Sequence, residues 1–128
     1  MIKTIETKKA PQAIGPYSQA VATDKLLFIS GQLGINPSTG NLETGIVNQT
    51  NQVLKNLAAI LEQGQSHKDS VIKCTIYVKN MGDFIIINQI YENFFGDHKP
   101  ARATIEVARL PKDGLVEIDA IALISNNY

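Results

Sequence analysis

Tryptophan is absent from this 128-residue sequence, and cysteine occurs once, at Cys74. A single cysteine excludes an intrachain disulfide, so a buried core must hold the fold. Histidine is scarce as well: His67 and His98 lie far apart, and neither has a Cys, Asp or second His at ligand spacing on a recognisable scaffold. A protein-held metal is therefore not expected. Net charge is missing too, because twelve basic residues balance twelve acidic ones. No bulk field draws the chain to nucleic acid or to an anionic membrane, and nothing electrostatic opposes self-association. No apolar run approaches the length of a membrane span, and the N-terminal MIKTIETKKAPQ has no signal-peptide core. These absences suit one small soluble domain over residues 1–128, in the cytoplasm.

What is present is hydrophobic periodicity that changes along the chain. Residues 2–6 read as a short edge strand, followed by an irregular loop at Ala10–Pro16 with two prolines and a glycine. Tyr17–Ala22 and Lys25–Ser30 read as a hairpin turning at Thr23-Asp24. The run Leu26–Ile29 suits a strand buried on both faces, and Gly31 permits a kink or a close backbone approach. From Ile46 to Gln63 apolar residues recur at three and four positions, which predicts an amphipathic helix stopped by Gly64. Val71–Lys79 alternates, with Ile72, Cys74, Ile76 and Val78 on one face. A second helix is expected from an Asp83 N-cap to Phe95, with Gly96 as its stop. Pro100–Leu123 reads as a final hairpin of Arg102–Val107 and Leu115–Leu123 around a Pro/Asp/Gly connection. The fold class is then α+β, a mixed sheet with two helices packed on one face. Strands apolar on both sides predict that another subunit covers the remaining face.

Chemistry concentrates in that last stretch. Ser30-Gly31-Gln32-Leu33-Gly34 lacks the GK[ST] of a phosphate cradle, no Ser–His pair suggests a hydrolase triad, and Cys74 sits on an apolar strand face. Arg102, by contrast, presents a planar fork of donors suited to a carboxylate. Glu117 and Asp119 interrupt an apolar strand and need partners. Arg102 is either an anion clamp or the structural partner of Glu106, Glu117 or Asp119. Glu117 is either a water-positioning base or that arginine's mate.

Several motifs in one register resemble the Rid (YjgF/RidA-like) family. They are Ala13-Ile-Gly-Pro-Tyr-Ser-Gln-Ala20, Ser30-Gly-Gln32, Asn80-Met-Gly-Asp-Phe84 through Asn88 and Tyr91, Pro100-Ala-Arg102, Val107-Ala-Arg-Leu-Pro-Lys-Asp113 and Val116-Glu-Ile118. The resemblance implies a chorismate-mutase-like fold and a homotrimer with sites at subunit interfaces. It also implies cofactor-independent hydrolysis of 2-imino acids, such as 2-iminobutanoate and 2-iminopropanoate, to 2-oxo acids and ammonia. Carried over by position, Arg102 clamps the substrate carboxylate and Glu117 holds and activates water. Tyr17, Ser30, Gly31, Asn88 and Thr104 line the pocket. Thr104 stands where many members carry a cysteine, which removes any thiol-based regulation there. The connection from Phe95 to Arg102 is short compared with some relatives. The rival expectations are a small-carboxylate-binding regulatory module without turnover, an endoribonuclease of the kind associated with some relatives, and a chaperone-like role. Zero net charge and the lack of an aromatic–basic stripe weigh against the second.

Overall fold

A computed structural model of the chain describes residues 1–125. Strand β1 (Lys3–Ile5) pairs with β2 (Ala20–Ala22), which turns through Thr23 and Asp24 into β3 (Leu26–Leu33). Helix α1 (Gly45–Gln63) leads to β4 (Val71–Val78), and α2 (Phe84–Phe95) to β5 (Ala101–Glu106). The last strand is β6 (Val116–Leu123). The six strands form one sheet in the order β1-β2-β3-β6-β4-β5. Only β4 and β5 run parallel, joined through α2 as a parallel pair requires. The fold is thus a mixed sheet with two packed helices.

The predicted closing hairpin does not form, because β4 lies between β5 and β6. Side-chain character explains the order. Val116, Ile118, Ala120 and Ala122 of β6 are all buried under the helices. That wholly apolar face belongs at the centre of the sheet, between β3 and β4. On β5, Arg102, Thr104 and Glu106 stand opposite Cys74, Ile76 and Val78, on this same helix-covered side. A strand with such an inner face belongs at the edge.

Other departures are local. Ile72 is exposed rather than buried with Cys74, since the β4–β6 register shifts between Val71 and Lys73. The expected Asp83 cap makes no side-chain hydrogen bond. Instead Asn80 caps a single 3-10 turn over Met81–Asp83, its side chain accepting from the Gly82 N–H at 2.8 Å. Gly64 does end α1, but for a reason of packing: a Cβ there would lie 2.6 Å from Leu27 Cδ2.

Helix α1 packs Val53, Leu54, Leu57, Ile60 and Leu61 into the core with Leu27 and Ile29 of β3 and the inner face of β6. Each large aliphatic side chain buried there contributes about 1.5–3 kcal/mol. Two buried polar residues on α1 then fix the strand ends. Gln49 Oε1 accepts the Leu115 N–H at 2.9 Å, just ahead of β6. Asn56, fully buried, donates to the carbonyls of Leu33 at 3.1 Å and Ile35 at 3.0 Å, at the end of β3. Removing those donors strands two carbonyls. Asn56→Ala is expected to destabilise the fold by about 2–4 kcal/mol, read as a lower urea midpoint; an unchanged midpoint would show that the carbonyls find other partners.

Candidate active site

Arg102 lies near the start of edge strand β5, turned toward α2. Its Nη1 donates to Asn88 Oδ1 at 2.7 Å. The guanidinium carbon sits 5.0 Å from the centre of the Tyr91 ring and 5.6 Å from that of Phe84. Aromatic faces and an amide thus hold the cation by weak attraction, without neutralising it. No carboxylate forms a salt bridge with Arg102 among the described residues. The three acids that could have been structural partners are placed elsewhere. Glu106 accepts the Met81 N–H at 2.7 Å, Asp119 is held by β4, and Glu117 lies on the other side of the sheet. Arg102 is thus exposed and, among the described residues, without a counter-charge. Thr104 follows two residues along the same face, and its Oγ1 is buried without a hydrogen-bond partner. Arg102 and Thr104 also share the lining of a shallow cleft with Met81, Phe84 and Ile85.

The second group lies across the sheet. Between Ile29 and Gln32 the β3–β6 register slips, so Ser30 and Gly31 together oppose Asp119 as a bulge. Such bulges re-aim neighbouring side chains. Here the glycine admits Glu117: a Cβ on Gly31 would lie 2.5 Å from Glu117 Oε2. Burial, and then the charge of Asp119, raises the Glu117 carboxyl above the usual glutamate range. Neither acid has a salt-bridged cation among the described residues. Asp119 does have donors, the Thr75 N–H at 3.2 Å and the Tyr77 hydroxyl at 3.1 Å. Tyr17, about half exposed, faces a cleft of roughly 390 Å³ that Gly31, Ile14, Ile35 and Pro111 also line. The Ser30 hydroxyl donates to the Ser18 carbonyl at 2.6 Å and so ties the N-terminal loop to the bulge.

The predicted residues therefore fall into two clusters, Arg102, Asn88 and Thr104 on the helix side, and Tyr17, Ser30, Gly31 and Glu117 around the open face. One chain does not bring Arg102 and Glu117 together. The aromatic cradle of Phe84 and Tyr91 was not expected to serve Arg102. Their seven-residue spacing places them on one face of α2.

The remaining candidates are structural. Burial pushes the Cys74 thiol up to about 11, which leaves it protonated and unreactive at neutral pH. The His98 ring bonds the Val71 carbonyl through Nε2 at 2.7 Å, and His67 Nδ1 accepts the Asp69 N–H. Among the described residues no His, Cys, Asp and Glu side chains cluster to hold a metal, and no helix is long and apolar enough to cross a membrane.

A family model described as endoribonuclease L-PSP matches residues 7–124. A RutC family protein of Pyrococcus horikoshii is 51% identical over 95% of this chain and 98% of its own length. The 2-iminobutanoate/2-iminopropanoate deaminase of mouse is 48% identical, covering 94% of this chain and 90% of that protein. The crystal structure of the Rid family protein YyfA of Yersinia pestis superposes with a TM-score of 0.95 at 48% identity, covering 97% of this chain and 100% of that one. The chain belongs to the Rid family. Family membership and site geometry meet at Gly31, where the motif residue makes room for the carboxylate. Gly31→Ala should leave the urea midpoint close to that of the parent, because the far end of a flexible side chain can yield. Its crystal structure should show Glu117 swung off residue 31, and an unmoved Glu117 would contradict the contact.

Proposed function

We propose that the protein is a cytoplasmic, cofactor-independent deaminase hydrolysing 2-iminobutanoate, 2-iminopropanoate and similar 2-imino acids to 2-oxo acids and ammonia. We further propose that it works in a trimer whose sites are built between subunits. The observation that carries this reading is the complementary vacancy of the two clusters. Among the described residues Arg102 has no carboxylate partner and Glu117 has no cation partner. They lie on opposite faces of one sheet, so only a second copy can bring such groups together. Exposed apolar residues on the open face, among them Phe28, Ile105 and Leu123, support its burial against another subunit. The mouse relative's activity supports the choice of substrate.

The chemistry divides between the clusters. A 2-imino acid carries a carboxylate next to a trigonal carbon bonded to nitrogen. Arg102 holds the carboxylate through charge-assisted hydrogen bonds, and Asn88 fixes the guanidinium plane. Glu117 orients a water molecule over the trigonal carbon and takes its proton as the C–O bond forms. Its raised proton affinity makes it a better base than an ordinary carboxylate. The imine enters protonated, as the better electrophile, so the C=N electron pair moves to a nitrogen that already carries its proton and a neutral amine results. Return of the Glu117 proton to nitrogen makes ammonia the leaving group; the C–N bond then breaks as the carbinolamine hydroxyl forms C=O and gives its proton back to Glu117, which leaves the 2-oxo acid. Thr104 Oγ1, buried and unpartnered two residues from Arg102, is available to bond the intermediate. Tyr17 and Gly31 border the space for the substrate side chain.

The activity is tested by generating 2-iminobutanoate with a threonine dehydratase in the presence of semicarbazide. The protein is expected to suppress semicarbazone formation, and Arg102→Ala to lose about 100-fold or more in efficiency. Equal suppression by Arg102→Ala would overturn the mechanism, and binding of 2-oxobutanoate without any turnover would favour a regulatory module instead. The shared site has its own test. Arg102→Ala and Glu117→Gln, each inactive alone, are unfolded together and refolded. Random assembly of a head-to-tail ring should return about a quarter of the parent activity, from interfaces receiving one intact residue from each variant. No recovery from properly refolded mixed oligomers would exclude a site shared between subunits.

A further inference from the structure

Asp119 lies two residues along β6 from Glu117, on the same face and about 7 Å away along the strand. Both of its oxygens are engaged, Oδ1 by the Thr75 N–H at 3.2 Å and Oδ2 by the Tyr77 hydroxyl at 3.1 Å. Tyr77 stands directly opposite Glu117 across the β4–β6 ladder, and Thr75 directly opposite Asp119. The phenol therefore reaches diagonally, away from its cross-strand neighbour and toward the more distant acid. That choice matters because a hydroxyl donating to Glu117 would stabilise its ionised form and weaken it as a base.

We propose that Asp119 is a positioning residue for Glu117: it draws off the Tyr77 hydroxyl and holds a fixed negative charge beside the water-holding carboxylate, making that carboxylate the stronger proton acceptor. The proposal rests on the role given to Glu117 above. The groups facing Glu117 are few. On β4 there is Tyr77, itself pushed above the usual tyrosine range by burial and by Asp119. On β3 there are Gly31 and Leu33, neither of them charged. On its own strand there is Asp119. Lys79, beyond the end of β4, donates to the Ala108 carbonyl. In the proposed assembly Arg102 of the partner subunit adds a cation, which stays constant across the variants below. Two hydrogen bonds from β4 hold the Asp119 carboxylate in place, and burial followed by the charge of Asp119 raises the proton affinity of Glu117.

The test separates charge from tether. Asp119→Asn keeps an acceptor for β4 but removes the charge, and Asp119→Ser is a second neutral replacement. Tyr77→Phe removes the tether and keeps the charge. Carbon-13 NMR of glutamate-labelled full-length protein follows the Glu117 carboxyl through its titration, independently of activity. In both Asp119 variants the midpoint is expected to fall by about half a pH unit to one unit. The acid limb of the deaminase rate should move with it, while Tyr77→Phe leaves the midpoint where the charge holds it. An unmoved midpoint in the Asp119 variants overturns the proposal, as does an equal fall in Tyr77→Phe. A Glu117→Gln variant with full deaminase rate overturns the role of Glu117 itself, whatever the titration shows. The two failures are therefore distinguishable.

Discussion

Strand β6 can bury Val116, Ile118, Ala120 and Ala122 together only from the middle of the sheet, under both helices. The rest of the arrangement follows from that requirement. Alternation then commits Glu117 and Asp119 to the open face, whatever their preference for solvent. It also displaces β5 to the edge, where Arg102 can point toward α2 without entering the core. The buried polar contacts of α1 serve the same strand. Gln49 secures the approach to β6, and Asn56 secures the end of β3, which runs beside it. Helix and strand thus fix the backbone on both sides of Glu117, and the Gly31 bulge supplies the space it occupies.

Much of this was legible in the residues. The 46–63 helix shows in the three-and-four spacing of Val53, Leu54, Leu57, Ile60 and Leu61, and Gly96 ends α2 with φ of 66° as its position suggested. Gly31 was marked as a place of close approach, and it is one. Strand order was not legible. Alternation tells which residues share a face but not which strand is the neighbour, and the apparent hairpin of Arg102–Val107 with Leu115–Leu123 is broken by β4. The exposure of Ile72 was equally hidden, since a register shift depends on pairing that no single strand encodes. The motifs named Arg102 and Glu117, but only the topology puts them on opposite faces.

That separation changes the meaning of the charges. Had β5 and β6 been neighbours, Arg102 opposite Glu117 or Asp119 would have been an ordinary structural pair. With β4 between them and the sheet itself intervening, neither can satisfy the other within the chain. Asp119 solves its problem locally, through Thr75 and Tyr77. Glu117 does not, and its partial burial makes that costly for an ionised carboxylate. Among the described residues Arg102 finds an amide and two aromatic faces. These contacts orient it and leave its charge uncompensated.

Sequences that specify one fold tend to satisfy every level of local chemistry, and the exceptions gather where function lies. Here the exceptions form a pattern. The buried amide of Asn56 has its donors and its acceptor in use, and the exposed Arg109 is paired with Asp113 at 2.8 Å. Glu106 and Asp119 have donors. Among the described residues Arg102 and Glu117 lack a salt-bridged counter-charge, and the buried Thr104 and Tyr91 hydroxyls lack a hydrogen-bond partner: a cation, an anion and neutral hydrogen-bonding groups. The proposed substrate, with a carboxylate at one end and an electrophilic carbon awaiting water at the other, calls for those three kinds of group. Because they occupy two faces of a single sheet, such a substrate is complementary to two chains rather than one. In the proposed assembly, catalysis and association are then one property: the contact that covers the apolar open face would also supply the missing half of each site.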